Sequence, residues 1–346
     1  MMKILLTQLR RIGDVITTTP AVRAIRFVWK DAKIDYLTEP PSDEIFRASP
    51  YVDTIITVKR RPSAAEYIRL VKTLRKNRYD VVIDFFCNPT SAYLTWLSGA
   101  KCRIGFDIHY RKYFYTHKIN KDLFPSHIYA GIHKMALAAH IGVMPNGFEP
   151  EFPINAENQR EADDFLVSLG VGADDMLVTL GLTTRHGFRQ WPLERFAAVA
   201  DDLISRFNVK ILFIYGPGEE DYPRKVQSLM KYTALPEYAH STISRMRGIF
   251  TRTVLHIGCD NGPGNIAKAS GIPSVILYSN TRASSWTPPA DQMPYENSRK
   301  YISLDIELEC KNRCLHEKCN DPVCITGISA GAVIKAVEKV LIDRKL

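Results

Sequence analysis

At 346 residues the chain is long enough for two domains, each with its own core, and 45% hydrophobic with 24% charged residues is the composition of a globular protein rather than a disordered or fibrous one. No apolar run of about 18 residues is present, which excludes a membrane-spanning helix. The opening MMKILLTQLRR has too short an apolar stretch for a secretory signal and no small-residue cleavage site, so a cytoplasmic location is expected.

The segments alternate between strand-like and helix-like patterns. In the first half, KILLTQL (3–9) is a buried strand, and Asp14–Trp29 has the apolar spacing of one helix. IDYLT (34–38), DTIITV (53–58) and DVVIDFF (80–86) are further strands, with helices over 63–77 and 127–141. Nearly continuous apolar strands with helical crossovers predict a parallel sheet covered on both faces. The Pro- and Gly-rich stretch Met144–Pro153 breaks the alternation and marks a boundary. A second series follows: MLVTLGL (176–182), a helix over 193–206, VKILFIY (209–215), TVLHIG (253–258), a helix from 261, SVILYS (274–279) and a last amphipathic helix over 329–341. The expected organisation is a first Rossmann-like domain over 1–145, a linker over 146–155 and a second Rossmann-like domain over 156–346, with the last helix free to return to the first domain. Two doubly wound α/β domains in tandem leave a cleft, and their ligands bind outside the carboxyl ends of the strands.

Charge divides along the same boundary. Residues 1–145 hold 23 Lys and Arg against 12 Asp and Glu, whereas residues 146–346 hold 23 against 25. A basic first half suits an anionic partner, the alternative being a solvated basic surface. Nucleic acid is not expected, because no reader motif or aromatic platform accompanies the charge.

The loops after strands carry the chemistry. After the first strand, Gly13 permits a tight positive-φ turn and Asp14 stands at a helix start, where it is either an N-cap or a general base. Arg10 and Arg11 on the same loop can hold an anionic acceptor. After MLVTLGL, the hydroxyls of Thr183 and Thr184, then Arg189 and a helix opened by Pro192, form a plausible phosphate cradle, with Arg185 and His186 as alternative cations. In Tyr215-Gly-Pro-Gly-Glu219-Glu220, the two carboxylates either meet a ribose or simply belong to the turn and helix cap. Asp260-Asn261-Gly262-Pro263-Gly264-Asn265 opens a helix and offers backbone N–H groups to an anion. Its match to a dinucleotide fingerprint through Ala267 is weak, because the next strand ends in Tyr278-Ser-Asn280 without the required acid.

Taken in order, these residues resemble glycosyltransferase family 9, the ADP-heptose:lipopolysaccharide heptosyltransferases. Lys3-Ile-Leu-Leu, Gly13-Asp14-Val15 and Pro20-Ala-Val-Arg-Ala-Ile are similar to the family's opening pattern. Arg189-Gln-Trp191-Pro192 resembles its K-x-W-P motif, and Asp260-Asn-Gly-Pro its D-[ST]-G-[PL] motif, followed by Gly271-Ile-Pro-Ser-Val. His127–Gly142 resembles the His-led helix that closes the first domain. The resemblance covers nearly the whole chain. It implies a GT-B fold, with the acceptor in the first domain and a nucleotide-sugar donor in the second, and inverting transfer that needs no metal ion. Asp14 would then be the base and Arg189, in place of the family's Lys, would steady the donor diphosphate. Thr183, Thr184, Glu219, Glu220, Asp260, Asn261, Gly262, Pro263 and Gly264 would bind the donor, and Arg10, Arg11 and Gly13 the acceptor. Asn261 replaces the family's Ser/Thr, and Asn265 replaces its His. The implied enzyme works at the inner membrane surface on a phosphorylated glycolipid; the alternative is a non-catalytic nucleotide- or glycan-binding protein.

Cys310, Cys314, Cys319 and Cys324 are the one dense thiol cluster. A structural Zn²⁺ is one reading and free thiols the other, since the spacing is not that of paired C-x2-C ligands. Disulfides are not expected in a cytosolic protein.

Overall fold

The computed structural model describes residues 1–236, 242–290 and 300–342, and the chain divides into two compact units, Met1–Pro153 and Ile154–Leu346. In the first unit β1 (Lys3–Thr7), β2 (Lys33–Thr38), β3 (Thr54–Thr57), β4 (Val81–Asp84), β5 (Cys102–Phe106) and β6 (His117–Ile119) form a sheet in the order β3-β2-β1-β4-β5-β6. Every pairing is parallel. The helices are α1 (Ile12–Ile16), α2 (Thr19–Val28), α3 (Ala64–Asn77), α4 (Pro89–Leu97) and α5 (Ala130–Ala139). The strand order reverses between β1 and β4, so the loops leaving those two strands flank the position where doubly wound sheets bind ligands.

The single helix expected over Asp14–Trp29 is two. Thr17, Thr18 and Thr19 each donate a hydroxyl hydrogen bond to the carbonyl three residues back, at 2.8, 2.7 and 2.8 Å. That local bonding competes with helix continuation, and Pro20 has no N–H to carry the ladder on. By contrast α3 starts where its sequence says. Ser63 Oγ accepts from Glu66 N at 3.2 Å, and Glu66 accepts from Ser63 N at 2.8 Å, a complete capping box. Strand β5 gives little signal because it contains Gly105, and glycine weakens a strand pattern. The glycine is needed there: a Cβ would stand 2.4 Å from the Tyr115 ring.

Residues 146–153, expected as part of a linker, pack on the first unit. Arg23 donates to Asn146 Oδ1, the Glu149 carbonyl and the Glu151 carboxylate at 3.4, 3.3 and 2.9 Å, and Glu151 N donates to Thr19 Oγ1 at 2.9 Å.

The second unit repeats the plan. Strands β7 (Leu177–Gly181), β8 (Lys210–Ile214), β9 (Thr253–Cys259), β10 (Ser274–Tyr278) and β11 (Tyr301–Asp305) lie in the order β11-β10-β9-β7-β8, all parallel. Around them are α6 (Ala156–Ser168), α7 (Leu193–Phe207), α8 (Asp221–Leu229), α9 (Ile243–Arg252), α10 (Gly262–Ala269), α11 (Val323–Thr326) and α12 (Ala330–Ile342). Here the order reverses between β7 and β9. The last helix packs on α7 and β10 of its own unit, with Arg206 and Glu338 paired at 2.6 Å. Trp191, fully buried, stacks edge-on against Phe196 and donates to the Ile328 carbonyl at 2.9 Å. It thereby fixes both the start of α7 and the approach to α12.

Candidate active site

At the carboxyl edge of the second sheet, three loops are tied to one another. Thr183, just past β7, donates its hydroxyl to Glu219 Oε2 at 2.6 Å, and Gly216 N donates to the same oxygen at 2.6 Å. Asn261, just past β9, caps α10 by accepting from Gly264 N at 2.9 Å, and its amide nitrogen donates to the Thr183 carbonyl at 2.8 Å. One side chain therefore does two jobs. A Ser or Thr at this position can cap the helix, but its single short hydroxyl cannot also bridge to the neighbouring loop. Asn265 adds a bond from its amide to the Asn261 carbonyl at 2.8 Å.

Glu219 bonds both inside its own turn and across to the loop after β7, whereas Glu220 bonds inside the turn. Glu219 serves Gly216 and Thr183, and Glu220 accepts from Gly218 N at 3.1 Å. Thr184 donates to the His186 carbonyl at 2.8 Å. Asp260 accepts from Thr281 Oγ1 at 2.6 Å, which joins the loops after β9 and β10. Gly262, Pro263 and Gly264 form the first turn of α10, with Pro263 where no intrahelical N–H is required.

Two buried basic groups lie beneath these loops, and no loop motif pointed to either. Lys268 on α10 donates to Tyr278 Oη at 3.1 Å and to the Trp286 carbonyl at 2.7 Å. Burial pushes its pKa down to about 8, against the opposing pull of Asp260. His256 on β9 is fully buried, its Nδ1 3.0 Å from Thr179 Oγ1 and its Nε2 without a hydrogen-bond partner. Burial lowers its pKa to about 3, so the ring is neutral. A Cβ on Gly258 would stand 3.0 Å from that Nε2, and one on Gly181 3.1 Å from Cε1, which explains two of the glycines at the β7–β9 junction.

Arg189 ends the short 3-10 turn Gly187–Arg189, its guanidinium carbon 5.5 Å over the Phe188 ring. It lines an open pocket of about 380 Å³ with His186, Phe188, Leu315, His316 and Lys318.

In the first unit the loop after β1 runs into α1. Asp14 is the third residue of that helix and accepts from Arg11 N at 3.2 Å, so it closes a capping box on Arg11. Gly13, expected in a positive-φ turn, lies inside α1 instead, because the extended Arg11 at the N-cap makes the turn. Arg10 pairs with Glu39 at 3.3 Å. Lys134 of α5 donates to Gln8 Oε1 at 3.0 Å and to the Phe85 carbonyl. Burial lowers the Lys134 pKa, opposed chiefly by the negative charge of Asp14 and then by Cys87 and Asp84. Asp84, fully buried at the end of β4, accepts from Phe86 N, Cys87 N and Tyr115 Oη at 3.0, 2.9 and 2.7 Å, and burial raises its pKa. Lys134 escapes sequence reasoning because it sits mid-helix, away from any loop motif. Asp84 escapes because it reads as the end of an apolar strand.

The four clustered cysteines are free thiols: Cys310 is exposed, Cys314 and Cys319 half-buried, Cys324 buried. Among the described residues no three His, Cys, Asp or Glu side chains gather as a metal ion requires. Cys310 lies on an exposed 3-10 turn, Glu309–Arg313, and Cys324 in α11, where burial raises its thiol pKa, Lys311 opposes the rise, and Cys314, Cys319 and Cys310 add to it. Cys87 and Cys259 are buried, and burial pushes each thiol up to about 12.

Comparison with known proteins agrees with this geometry. The chain is 23% identical to lipopolysaccharide heptosyltransferase 3 of Escherichia coli over 338 residues, covering 95% of this chain and 96% of that protein. A glycosyltransferase family 9 structure from Veillonella parvula superposes with a TM-score of 0.84 at 24% identity, covering 99% of this chain and 97% of the other. The structure of E. coli ADP-heptose lipopolysaccharide heptosyltransferase II superposes with a TM-score of 0.79 at 16% identity, covering all of both chains. The two Rossmann-like units are thus those of the GT-B fold. The model of glycosyltransferase family 9 (heptosyltransferase) matches residues 67–322, well over half of the sequence, and the chain accordingly belongs to that family of glycosyltransferases.

Proposed function

We propose that the protein is an inverting, metal-independent heptosyltransferase that moves a heptose from ADP-heptose to a phosphorylated glycolipid of the lipopolysaccharide core. The observation that carries the reading is the tied set of loops in the second unit: Thr183, Glu219 and Asn261 hold three strand ends around the N-terminus of α10. A helix N-terminus with fixed flanking loops suits a diphosphate. Likeness to the E. coli lipopolysaccharide heptosyltransferases supports the sugar and the acceptor.

The reading assigns the acceptor to the first unit and the donor to the second. The Asp14 carboxylate takes the proton of the acceptor hydroxyl as that oxygen bonds to the anomeric carbon. The carbon–oxygen bond to the diphosphate breaks, and its electron pair leaves with ADP. Attack opposite the leaving group inverts the anomeric centre. The negative charge of Asp14 favours the charged form of Lys134 against the effect of its burial. Negative charge growing on the leaving diphosphate meets Arg189 and the first turn of α10, fixed positive groups in the role a metal ion fills elsewhere. The described residues contain no helix long and apolar enough to cross a membrane. The excess of Lys and Arg over residues 1–145 suits a chain that works peripherally, at the cytoplasmic face of a membrane presenting anionic lipid.

Asp14→Asn tests the assignment. Turnover of ADP-heptose with a core lipopolysaccharide acceptor is expected to fall by about 10²–10⁴, with ADP affinity unchanged. Full turnover by the variant removes Asp14 as the base, and anomeric retention in the product, read by NMR, rejects inversion.

A further inference from the structure

The pocket that holds Arg189 has a second wall that no donor motif contains. Its residues, Leu315, His316 and Lys318, lie between Cys314 and Cys319, more than 120 positions from Arg189 in the chain. Two contacts bring the walls together. The Phe188 ring meets the His316 ring edge-on at 6.1 Å, and the turns Gly187–Arg189 and His316–Lys318 pack against each other. None of the six lining side chains is acidic, and two carry fixed positive charge.

His316 is held in one orientation. Asn280 Nδ2 stands 3.2 Å from its Nδ1. An amide nitrogen only donates, so Nδ1 accepts and the ring proton lies on Nε2, which makes Nε2–H the donor available to a ligand. The backbone is also committed: His316 has φ +52, a left-handed conformation uncommon for a residue with a Cβ. It is kept there in part by the bond from His316 N to Cys314 Sγ at 3.3 Å. Such conformations persist where the surrounding structure over-determines them, and they cluster at ligand sites. Asn280 neighbours Thr281, which bonds Asp260, so this second wall is tied through two adjacent residues to the loop that opens α10.

We propose that the segment 315–318 completes a phosphoryl-binding pocket, with Arg189 and Lys318 supplying charge from opposite walls and His316 Nε2–H a directed hydrogen bond. The inference rests on the donor reading above and extends it to a segment outside the family's donor motifs. The phosphoryl group comes either from the nucleotide diphosphate or from a phosphorylated sugar of the acceptor.

Calorimetry on the full-length protein distinguishes these. The probes are ADP, adenosine and glucose 6-phosphate, and the variants are His316→Ala/Lys318→Ala and Arg189→Ala. Both mutated residues of the double variant are exposed, so its melting temperature is expected to match wild type. ADP binding is expected to weaken about tenfold in the double variant, the size of two solvent-exposed polar contacts, with adenosine unaffected. The loss should shrink as salt is raised. Weakening confined to glucose 6-phosphate supports the pocket and assigns its phosphoryl group to the acceptor. Unchanged binding of both phosphates by the double variant, while Arg189→Ala weakens ADP, overturns the inference and leaves the donor reading standing. Unchanged ADP binding by Arg189→Ala as well overturns the donor reading itself.

Discussion

Asn261 gives the sharpest test of how the second unit organises its loops. Its side chain makes two bonds: Oδ1 caps α10 at Gly264 N, 2.9 Å, and Nδ2 reaches the Thr183 carbonyl, 2.8 Å. An N-cap is worth about 1 kcal/mol, with a range of about 0.5–2, and a single neutral hydrogen bond about 1 kcal/mol. Asn261→Ala removes both and is expected to destabilise the unit by about 2 kcal/mol. Asn261→Ser keeps the cap and loses the bridge, for about 1 kcal/mol. Asn261→Asp also keeps the cap, but it sets a carboxylate oxygen against the Thr183 carbonyl, so it should be no better than Ser despite its favourable charge at a helix N-terminus. In a unit of this size each 1 kcal/mol corresponds to roughly 2–4 °C in Tm. The assay is thermal unfolding of the three variants, with ADP titration of each. The expected order of Tm is wild type, then Ser and Asp together, then Ala, with ADP affinity falling in the same order. A Ser variant as stable as wild type would show that the bridge to Thr183 contributes nothing. An Ala variant with unchanged ADP binding would show that the tied loops do not shape the donor site.

Further expectations come from the residues beneath these loops. Gly258→Ala places a Cβ 3.0 Å from His256 Nε2 and 3.3 Å from the Gly181 carbonyl, so β7 and β9 must part; a loss of about 1–3 kcal/mol in urea unfolding is expected, and an unchanged midpoint would contradict the close packing. His256, with its pKa lowered to about 3 in the fold, binds its proton more readily in the unfolded chain, whose His value is about 6.5. The unfolded state therefore gains protons first as pH falls, and stability drops between about 6.5 and 3 by up to roughly 1.4 kcal/mol per pH unit. Unfolding of His256→Gln across that range should show a shallower slope than wild type, and parallel slopes would deny the buried neutral ring. Trp191→Phe loses the bond to the Ile328 carbonyl, but Arg195 also donates to that oxygen, at 2.6 Å. The expected loss in denaturant titration is about 1 kcal/mol or less, and one above about 3 would mean that the indole bond is not shared.

Much of the frame was legible because it rests on period and punctuation. Buried parallel strands such as Lys3–Thr7 and Ser274–Tyr278 are continuous apolar runs, and α3 announces itself through Ser63 and Glu66. What failed to show is local competition and close approach. Three threonines and Pro20 split a helix whose apolar spacing is unbroken, and Gly105 hides a strand because its neighbour Tyr115 needs the space. The loop motifs located Thr183, Arg189, Asn261 and Asp14 by position, but not their bonds. Asn261 looked like a lapse from a Ser/Thr pattern, whereas its longer amide spans two loops. Lys134, His256 and Lys268 stayed hidden because each sits inside a regular element, where sequence shows only one polar residue among apolar ones. Neither could the cysteine spacing report that Cys310 is exposed and Cys324 buried.

Hydrogen–deuterium exchange of the full-length protein with and without saturating ADP tests the central claim most directly. Protection is expected in the loops 181–190, 215–221 and 259–265 of the second unit, with the loop 8–14 of the first unit unchanged. Protection confined to 8–14, or none in the three tied loops, would contradict a donor site built at the carboxyl edge of the second sheet.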